Sequence, residues 1–276
     1  MYATVSLFLN IILKDTQDYM IPRIIHYCWF GPNKIPEQLV KYMESWRLFC
    51  PDYEIKLWNE KSFDINSHPF TLSAYNQKKY AYVSDYVRAY ALHNFGGIYL
   101  DTDVELKENL DIFLQHEAFT GFEGKGSPFT AVWGSIPNHS LTKRILEYYH
   151  ERIYTAEEST NTFSVSEILR EKFFIDPLNN NLQVGKDSIN TIHVYPSTHF
   201  CLDLPKNFAT HHFYGSWLPD RTKSYKENAV EIYFNEQLES LENITHSKNF
   251  LKTLATRIKI KDLFKLIRYF IQYKLK

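Results

Sequence analysis

Three observations in the 276-residue chain predict an α/β fold. A strand–helix–strand succession occupies residues 21–58, a second helix ends on a glycine pair, and a short apolar strand follows that pair at once. The segment Ile21 to Phe30 (IPRIIHYCWF) is apolar enough for a buried strand and stops at Gly31-Pro32. Pro36 opens a helix, because its fixed φ suits the first turn and its missing N–H is not needed there. Leu39, Met43, Trp46 and Cys50 then recur at helical spacing until Pro51-Asp52 breaks the run. Tyr53 to Trp58 (YEIKLW) alternates as a half-buried strand does. Strand, helix and strand in that order close a βαβ unit with a parallel pair.

The second helix runs from about Lys79 to His93, and Gly96-Gly97 supply a left-handed cap. Ile98-Tyr99-Leu100 forms a short apolar strand and delivers Asp101-Thr102-Asp103. Further strands are expected at Ala118–Glu123, Phe129–Trp133 and Thr191–Tyr195, with a helix at Leu141–Ile153. Glu157–Thr162 is polar and reads as a loop. The chain has no internal repeat and no low-complexity segment. The domains expected are an N-terminal helical segment (1–20), the α/β domain (21–222) and a helical, basic amphipathic tail (223–276).

From Lys248 onward the tail holds nine Lys or Arg against one acid, Asp262. Leu254, Ile258, Leu263, Leu266, Ile267, Phe270 and Ile271 form a helical apolar stripe. Such a helix either packs on the domain with a solvated basic face or lies on an anionic membrane surface. At the other end, Val5 to Leu13 is apolar apart from Ser6 and Asn10. It lacks the charged start and small-residue cleavage site of a signal peptide. It is also shorter than the roughly 20 residues that cross a bilayer, so a packed helix is expected.

A formal net charge of −1 carries no nucleic-acid signature. Cys28, Cys50 and Cys201 are odd in number, far apart and not in metal spacing, which suits a reducing, cytoplasmic setting. Twenty Tyr and twenty Phe serve the core first, but aromatic faces also make platforms for sugars and bases.

The chemistry concentrates at Asp101 and Asp103. Both lie at the C-terminal end of a buried strand, where open α/β sheets bind ligands. Residues two apart in extended chain point the same way, so the carboxylates converge. Adjacent carboxylates raise each other's pKa unless a cation sits between them. Hard oxygen ligands select Mg²⁺ or Mn²⁺, which bridge to substrate phosphates. An EF-hand is excluded because its sixth loop position is Leu106, where glycine is required.

The run SDYVRAYALHNFGGIYLDTDVEL, with IIHYCWFG before it and HHFYGSW after it, resembles one known family. It is the DxD-motif glycosyltransferase family of bacterial capsular polysaccharide transferases and the yeast initiating mannosyltransferase. The run is similar also to the clostridial glucosylating toxins. The resemblance covers roughly Ile21 to Leu218, with the motifs in family order. It implies a GT-A fold, that is, a Rossmann-like, mixed and mostly parallel sheet flanked by helices, with the tail as a C-terminal extension. It also implies retaining, metal-dependent transfer of a sugar from a nucleotide-sugar donor to a glycan or lipid-linked glycan acceptor. The setting it implies is capsule or other surface-polysaccharide synthesis at the inner membrane face; peripheral contact through the tail is the membrane alternative of the tail reading above.

Residue by residue, the resemblance gives Asp85 the sugar hydroxyls and Arg88 the donor sugar or phosphate, with Ser84 on the same helical face. A planar guanidinium suits bidentate oxygen partners. Trp29 matches a tryptophan that stacks on the donor's base, which favours a UDP-sugar over GDP-mannose. Tyr99, which alternates with Asp101, is expected to turn its ring toward the donor, with core packing as the alternative. His212, in an H-F-x-G context, is expected as the third metal ligand; His211 is then structural or acceptor-facing. Ser216 and Trp217 fall in a closing loop that excludes water. His26 reads as a buried, hydrogen-bonded strand histidine. Many relatives carry T-G-P where this chain has Asn161-Thr162-Phe163, so the acceptor loop stays unassigned. The transition state resembles an oxocarbenium ion; either a carboxylate such as Glu123 backs it, or the leaving phosphate takes the acceptor's proton on the front face.

Two other classes compete. A phosphotransferase of the haloacid dehalogenase kind wants Thr or Val at the fifth motif position, where this chain has Glu105. A non-catalytic sugar-binding protein on the same fold would keep the motifs without turnover.

Overall fold

The computed structural model describes residues 20–123, 127–129, 131–204 and 206–215, together with 252, 255, 256 and 258–274 of the tail. The chain divides into two compact units, residues 1–226 and 227–276. The helix expected within residues 1–20 lies, apart from Met20, outside the described residues, and so do Ser216 and Trp217.

The first unit opens with the predicted βαβ element: β1 (Ile24–Cys28), α1 (Glu37–Phe49) and β2 (Glu54–Trp58). β1 and β2 pair in parallel, with Ile25 opposite Ile55. The stripe on α1 does what its spacing predicts. Leu39, Trp46 and the capping Cys50 are buried, and Trp46 donates its indole N–H to the Val104 carbonyl at 2.8 Å. The buried ring therefore leaves no orphan donor. Next come α2 (Pro69–Asn76), α3 (Tyr80–Phe95) and β3 (Gly97–Leu100), followed by β4 (Val104–Leu106), β5 (Ala118–Gly121) and β6 (Val132–Ser135). The unit continues through α4 (Ser140–Tyr149), α5 (Asn161–Phe173), β7 (Gln183–Lys186), β8 (Thr191–Tyr195), α6 (Ser197–Phe200) and β9 (Ala209–His211).

Seven strands form one sheet in the order β2-β1-β3-β6-β5-β8-β7. Only β6 and β7 run against the rest, since β3–β6, β5–β6 and β7–β8 are the antiparallel pairs. This is the mixed, mostly parallel sheet expected of the GT-A fold. A separate two-stranded ladder joins β4 to β9. Alternation along β3 divides the core. Ile98 and Leu100 pack with Ile25, Trp46 and Phe119 on one face. Tyr99 packs with Val83 and Val87 of α3, Leu141 of α4 and Leu169 of α5 on the other. Each fully buried side chain of this size contributes about 1.5–3 kcal/mol.

Two sequence expectations shift. The strand expected at Phe129–Trp133 begins at Val132, and the segment read as a loop at Glu157–Thr162 ends inside α5. The helical signal for α5 is Val165, Leu169 and Phe173, four apart and all buried. Polar residues at its start hid it.

The glycine pair has a sharper role than a helix cap. Gly96 has φ +61° but ψ −167°, so it turns the chain without being left-handed helical. Gly97 has φ +107°, and a Cβ there would lie 2.7 Å from the Ile24 carbonyl oxygen and 3.0 Å from His26 Nε2. His26 is that close because it is fixed in the core. Its Nδ1 accepts the Trp58 indole N–H at 3.0 Å, and Nε2 donates to the Gly96 carbonyl at 2.8 Å. Burial lowers its pKa to about 4, so the ring stays neutral. Gly97→Ala is expected to cost about 2 kcal/mol or more through strain and overpacking, read from the urea midpoint; a change under about 0.5 kcal/mol would contradict this packing.

In the second unit, α7 (Ile260–Lys274) is a helix. Ile260, Leu263, Phe264, Ile267 and Ile271 are exposed along it. Among the described residues no helix is long and apolar enough to cross a membrane.

Candidate active site

β3 ends at Leu100, and a turn over Asp101–Asp103 passes the chain to β4. Asp101 donates its N–H to the Ala131 carbonyl at 3.1 Å, and Val104 donates to the Asp101 carbonyl at 3.0 Å. The backbone of the motif is therefore tied on both sides. β9 then pairs antiparallel with β4, placing His211 opposite Val104. That pairing brings a histidine to the aspartates: Asp101, Asp103 and His211 offer one ligand atom each, all within 4.8 Å of one another.

The histidine is His211, where the sequence pointed to His212. Neighbouring residues on a strand face opposite ways, and the register puts His211 on the aspartate side. His211 Nε2 lies 3.4 Å from Asp103 Oδ2 and its Nδ1 3.6 Å from Glu123 Oε1. His212 turns away, bonds through Nε2 to Glu105 Oε2 at 2.8 Å and stacks flat on Tyr42 with ring centroids 3.8 Å apart. Its backbone still serves the motif, because the His212 N–H donates to the Asp103 carbonyl at 2.9 Å. Two residues on, the Tyr214 N–H donates to Asp103 Oδ2 at 2.8 Å.

The electrostatics are those of crowded, partly buried carboxylates. Burial alone would lower the His211 pKa, but Asp103, Glu123 and Asp101 together push it up to about 9. Burial opposes ionisation of Asp103, yet the His211 charge and the Tyr214 N–H hold its pKa below the usual range. Glu123 is shifted the other way, raised chiefly by burial. The His211 imidazole therefore stands against Asp103 and Glu123, one carboxylate at each ring nitrogen.

α3 supplies the second half of the site. Asp85 and Arg88, three apart, form a buried ion pair at 2.9 Å, with side chains 11% and 10% exposed. Arg88 also reaches Asp101 at 3.2 Å and lies over the Tyr99 ring at 4.6 Å. Burial raises the Asp85 pKa to about 6 in spite of Arg88. Tyr99, expected to present its ring to the donor, is instead 2% exposed and donates its hydroxyl to Asp101 Oδ1 at 3.1 Å. It supports the motif from beneath. Ser84 donates its hydroxyl back to the Tyr80 carbonyl at 3.1 Å, within its own helix. Trp29 follows β1, half-buried, with its indole N–H donated to the Asn33 carbonyl at 2.7 Å.

Asn161 was missed as a site residue. As the first residue of α5, it donates from Nδ2 to Asp85 Oδ1 at 3.1 Å. Its Oδ1 is buried without a hydrogen-bond partner. A sequence signal existed in Thr160-Asn161 ahead of a helical apolar run.

Residues 36–120 match the family described as "Glycosyltransferase sugar-binding region containing DXD motif". This DXD region holds Asp85, Arg88, Asp101 and Asp103 and stops short of Glu123 and His211. Among similar proteins, inositol phosphoceramide mannosyltransferase 3 of Schizosaccharomyces pombe is 32% identical over 49% of this chain and 38% of its own length. The chain thus spans well under half of that relative. An uncharacterized glycosyltransferase of Acanthamoeba polyphaga mimivirus is 28% identical over 78% of this chain and 91% of its own. A solved structure titled PaToxG Glycosyltransferase overlaps 62% of this chain and 76% of its own at 15% identity, with a TM-score of 0.43.

Removing Arg88 leaves Asp85 and Asp101 without their shared cation in a buried setting. Arg88→Met is expected to cost about 3 kcal/mol or more, read from the urea midpoint. A loss under about 1 kcal/mol would mean that water already screens the pair.

Proposed function

We propose that the protein is a divalent-cation-dependent, retaining glycosyltransferase that moves a hexose from a nucleoside diphosphate sugar to a lipid-linked acceptor. The observation that carries this reading is the convergence of Asp101, Asp103 and His211 at the carboxyl edge of β3. Two carboxylates and one imidazole make a donor set that fits Mn²⁺, or Mg²⁺ with less weight on the histidine. Asp101, Asp103 and His211 would hold such an ion, and its positive charge would offset that of the departing diphosphate. Asp85, held by Arg88 and Asn161, orients the sugar hydroxyls, and Trp29 offers its ring to the base.

In the reaction the bond between the sugar's anomeric carbon and the diphosphate oxygen breaks, and the electron pair leaves with the phosphate. A bond forms from the acceptor oxygen to that carbon, and the acceptor's proton passes to a diphosphate oxygen on the same face. Retention follows without a protein nucleophile.

Relatives named as mannosyltransferases acting on inositol phosphoceramide support mannose as the sugar and a lipid carrying a polyol headgroup as the acceptor. These names favour a mannose donor, such as the GDP-mannose used in part of the family the motifs resemble, over the UDP-sugar that Trp29 suggested, and a lipid acceptor over a capsule glycan. Release of nucleoside diphosphate is measured against GDP-mannose, UDP-glucose, UDP-galactose and their N-acetyl forms. The expected result is Mn²⁺-dependent release from GDP-mannose, reduced by roughly 100-fold or more in Asp103→Asn. Release from none of the donors would favour the non-catalytic sugar-binding reading. Activity on a simple phosphate ester without nucleotide would favour the phosphotransferase.

A lipid acceptor calls for a membrane surface, and α7 supports contact with one. Along it Lys261, Lys265 and Arg268 are exposed on one arc, and Leu263, Phe264, Ile267 and Ile271 on another. This is the pattern that sinks apolar side chains between anionic headgroups. Phe264→Asp combined with Ile267→Asp is expected to release the protein from phosphatidylserine-containing vesicles in a sedimentation assay while donor hydrolysis persists. Unchanged vesicle binding would retire the membrane contact.

A further inference from the structure

The matched region ends at residue 120, and the three proposed ligands, two acids and a histidine, do not explain why a third acid stands beside them. Glu123 follows β5 by two residues, and its backbone is fastened on both sides. Its N–H donates to the Ser127 carbonyl at 3.0 Å, and its carbonyl accepts the Cys201 thiol at 2.9 Å. The preceding Phe122 N–H donates to the Tyr195 carbonyl at 2.8 Å. The side chain is 15% exposed and reaches to 3.6 Å from His211 Nδ1, while Nε2 of the same ring faces Asp103 at 3.4 Å. The imidazole therefore lies between two carboxylates, one for each nitrogen.

A neutral imidazole has one N–H and one lone pair, and only the lone pair can ligate. If Nδ1 keeps the proton, Nε2 presents its lone pair on the Asp103 side. If Nε2 keeps it, the lone pair lies on Nδ1, on the Glu123 side and away from Asp103. Nδ1 is buried and has no hydrogen bond at 3.6 Å, which is beyond hydrogen-bond length. Among the described residues the Glu123 carboxylate is the charged group within 4 Å of Nδ1. Carboxylates that receive the second N–H of a ligating histidine fix both its tautomer and its ring orientation.

We propose that Glu123 is the positioning residue of the site: it holds the Nδ1–H of His211 so that Nε2 is turned to Asp103 and to the divalent ion. This rests on the proposed metal reading and deepens it. Glu123 then touches neither sugar nor acceptor, and its backbone anchors keep it on the imidazole rather than on the anomeric carbon.

The test measures Mn²⁺ affinity of the full chain from the free aquo-ion signal in electron paramagnetic resonance, without donor. Wild type, Glu123→Ala, Glu123→Gln and Asp103→Asn are compared. Glu123→Ala is expected to weaken Mn²⁺ binding by about 10- to 100-fold. Glu123→Gln is expected to recover most of that loss, because its amide oxygen still accepts the Nδ1–H. It also carries the test if the alanine variant does not fold. Wild-type affinity in Glu123→Ala while Asp103→Asn is impaired overturns the positioning role alone, as does a Gln variant as weak as the Ala variant. Full Mn²⁺ affinity with lost turnover in Glu123→Ala would assign the residue to the substrate instead, and also overturns the proposal. Absence of Mn²⁺ binding by the wild type, or no effect of Asp103→Asn, overturns the metal reading on which it rests.

Discussion

Repulsion among crowded, partly buried carboxylates is the constraint on which the structure of this site depends. Asp85, Asp101, Asp103 and Glu123 meet one guanidinium, Arg88, and one imidazole, His211. Four acidic groups against two basic ones leave an excess of negative charge, which partial burial screens less than open solvent would. The chain offsets part of it with neutral donors. Tyr99 gives a hydroxyl to Asp101, Tyr214 a backbone N–H to Asp103, and Asn161 an amide to Asp85. What remains is the charge of a divalent cation, which is the physical reason for reading the cluster as a metal site.

The sheet explains how the acids come together. β1, β3 and β5 all run in the same direction, and their carboxyl ends deliver Trp29, Asp101 and Glu123 to one edge. That edge is where α/β sheets bind ligands. α3 brings Asp85 and Arg88 in from one face. The small β4–β9 ladder carries His211 across the mouth of the site. His26, Gly96 and Gly97 lock α3 to β3, so the Asp85–Arg88 pair and Asp101 keep their spacing.

Local pattern made much of this legible in the sequence. The βαβ unit, the helix of Asp85 and Arg88, the glycine pair and the strand of Asp101 were readable because each is set by residues close in the chain. His26 was readable as a buried, bonded histidine for the same reason. Choosing His211 over His212 required the register of two three-residue strands separated by about a hundred residues, and nothing local encodes that pairing. Tyr99 was misjudged because alternation with Asp101 says which way a side chain points, and not whether protein or ligand covers it. The helix that brings Asn161 to Asp85 was hidden by its polar first turn. The roles of Asn161 and Glu123 appear only when α5 and β5 stand next to α3 and β9.

The central claim is that a cation sits among Asp101, Asp103 and His211. A crystal grown with Mn²⁺ and a nucleoside diphosphate, with diffraction recorded at the manganese absorption edge, tests it most directly. The account predicts one anomalous peak bounded by those three side chains and the diphosphate, with His212 still stacked on Tyr42. A peak on His212 and Glu105, or a bound diphosphate with no peak beside Asp103, would contradict it.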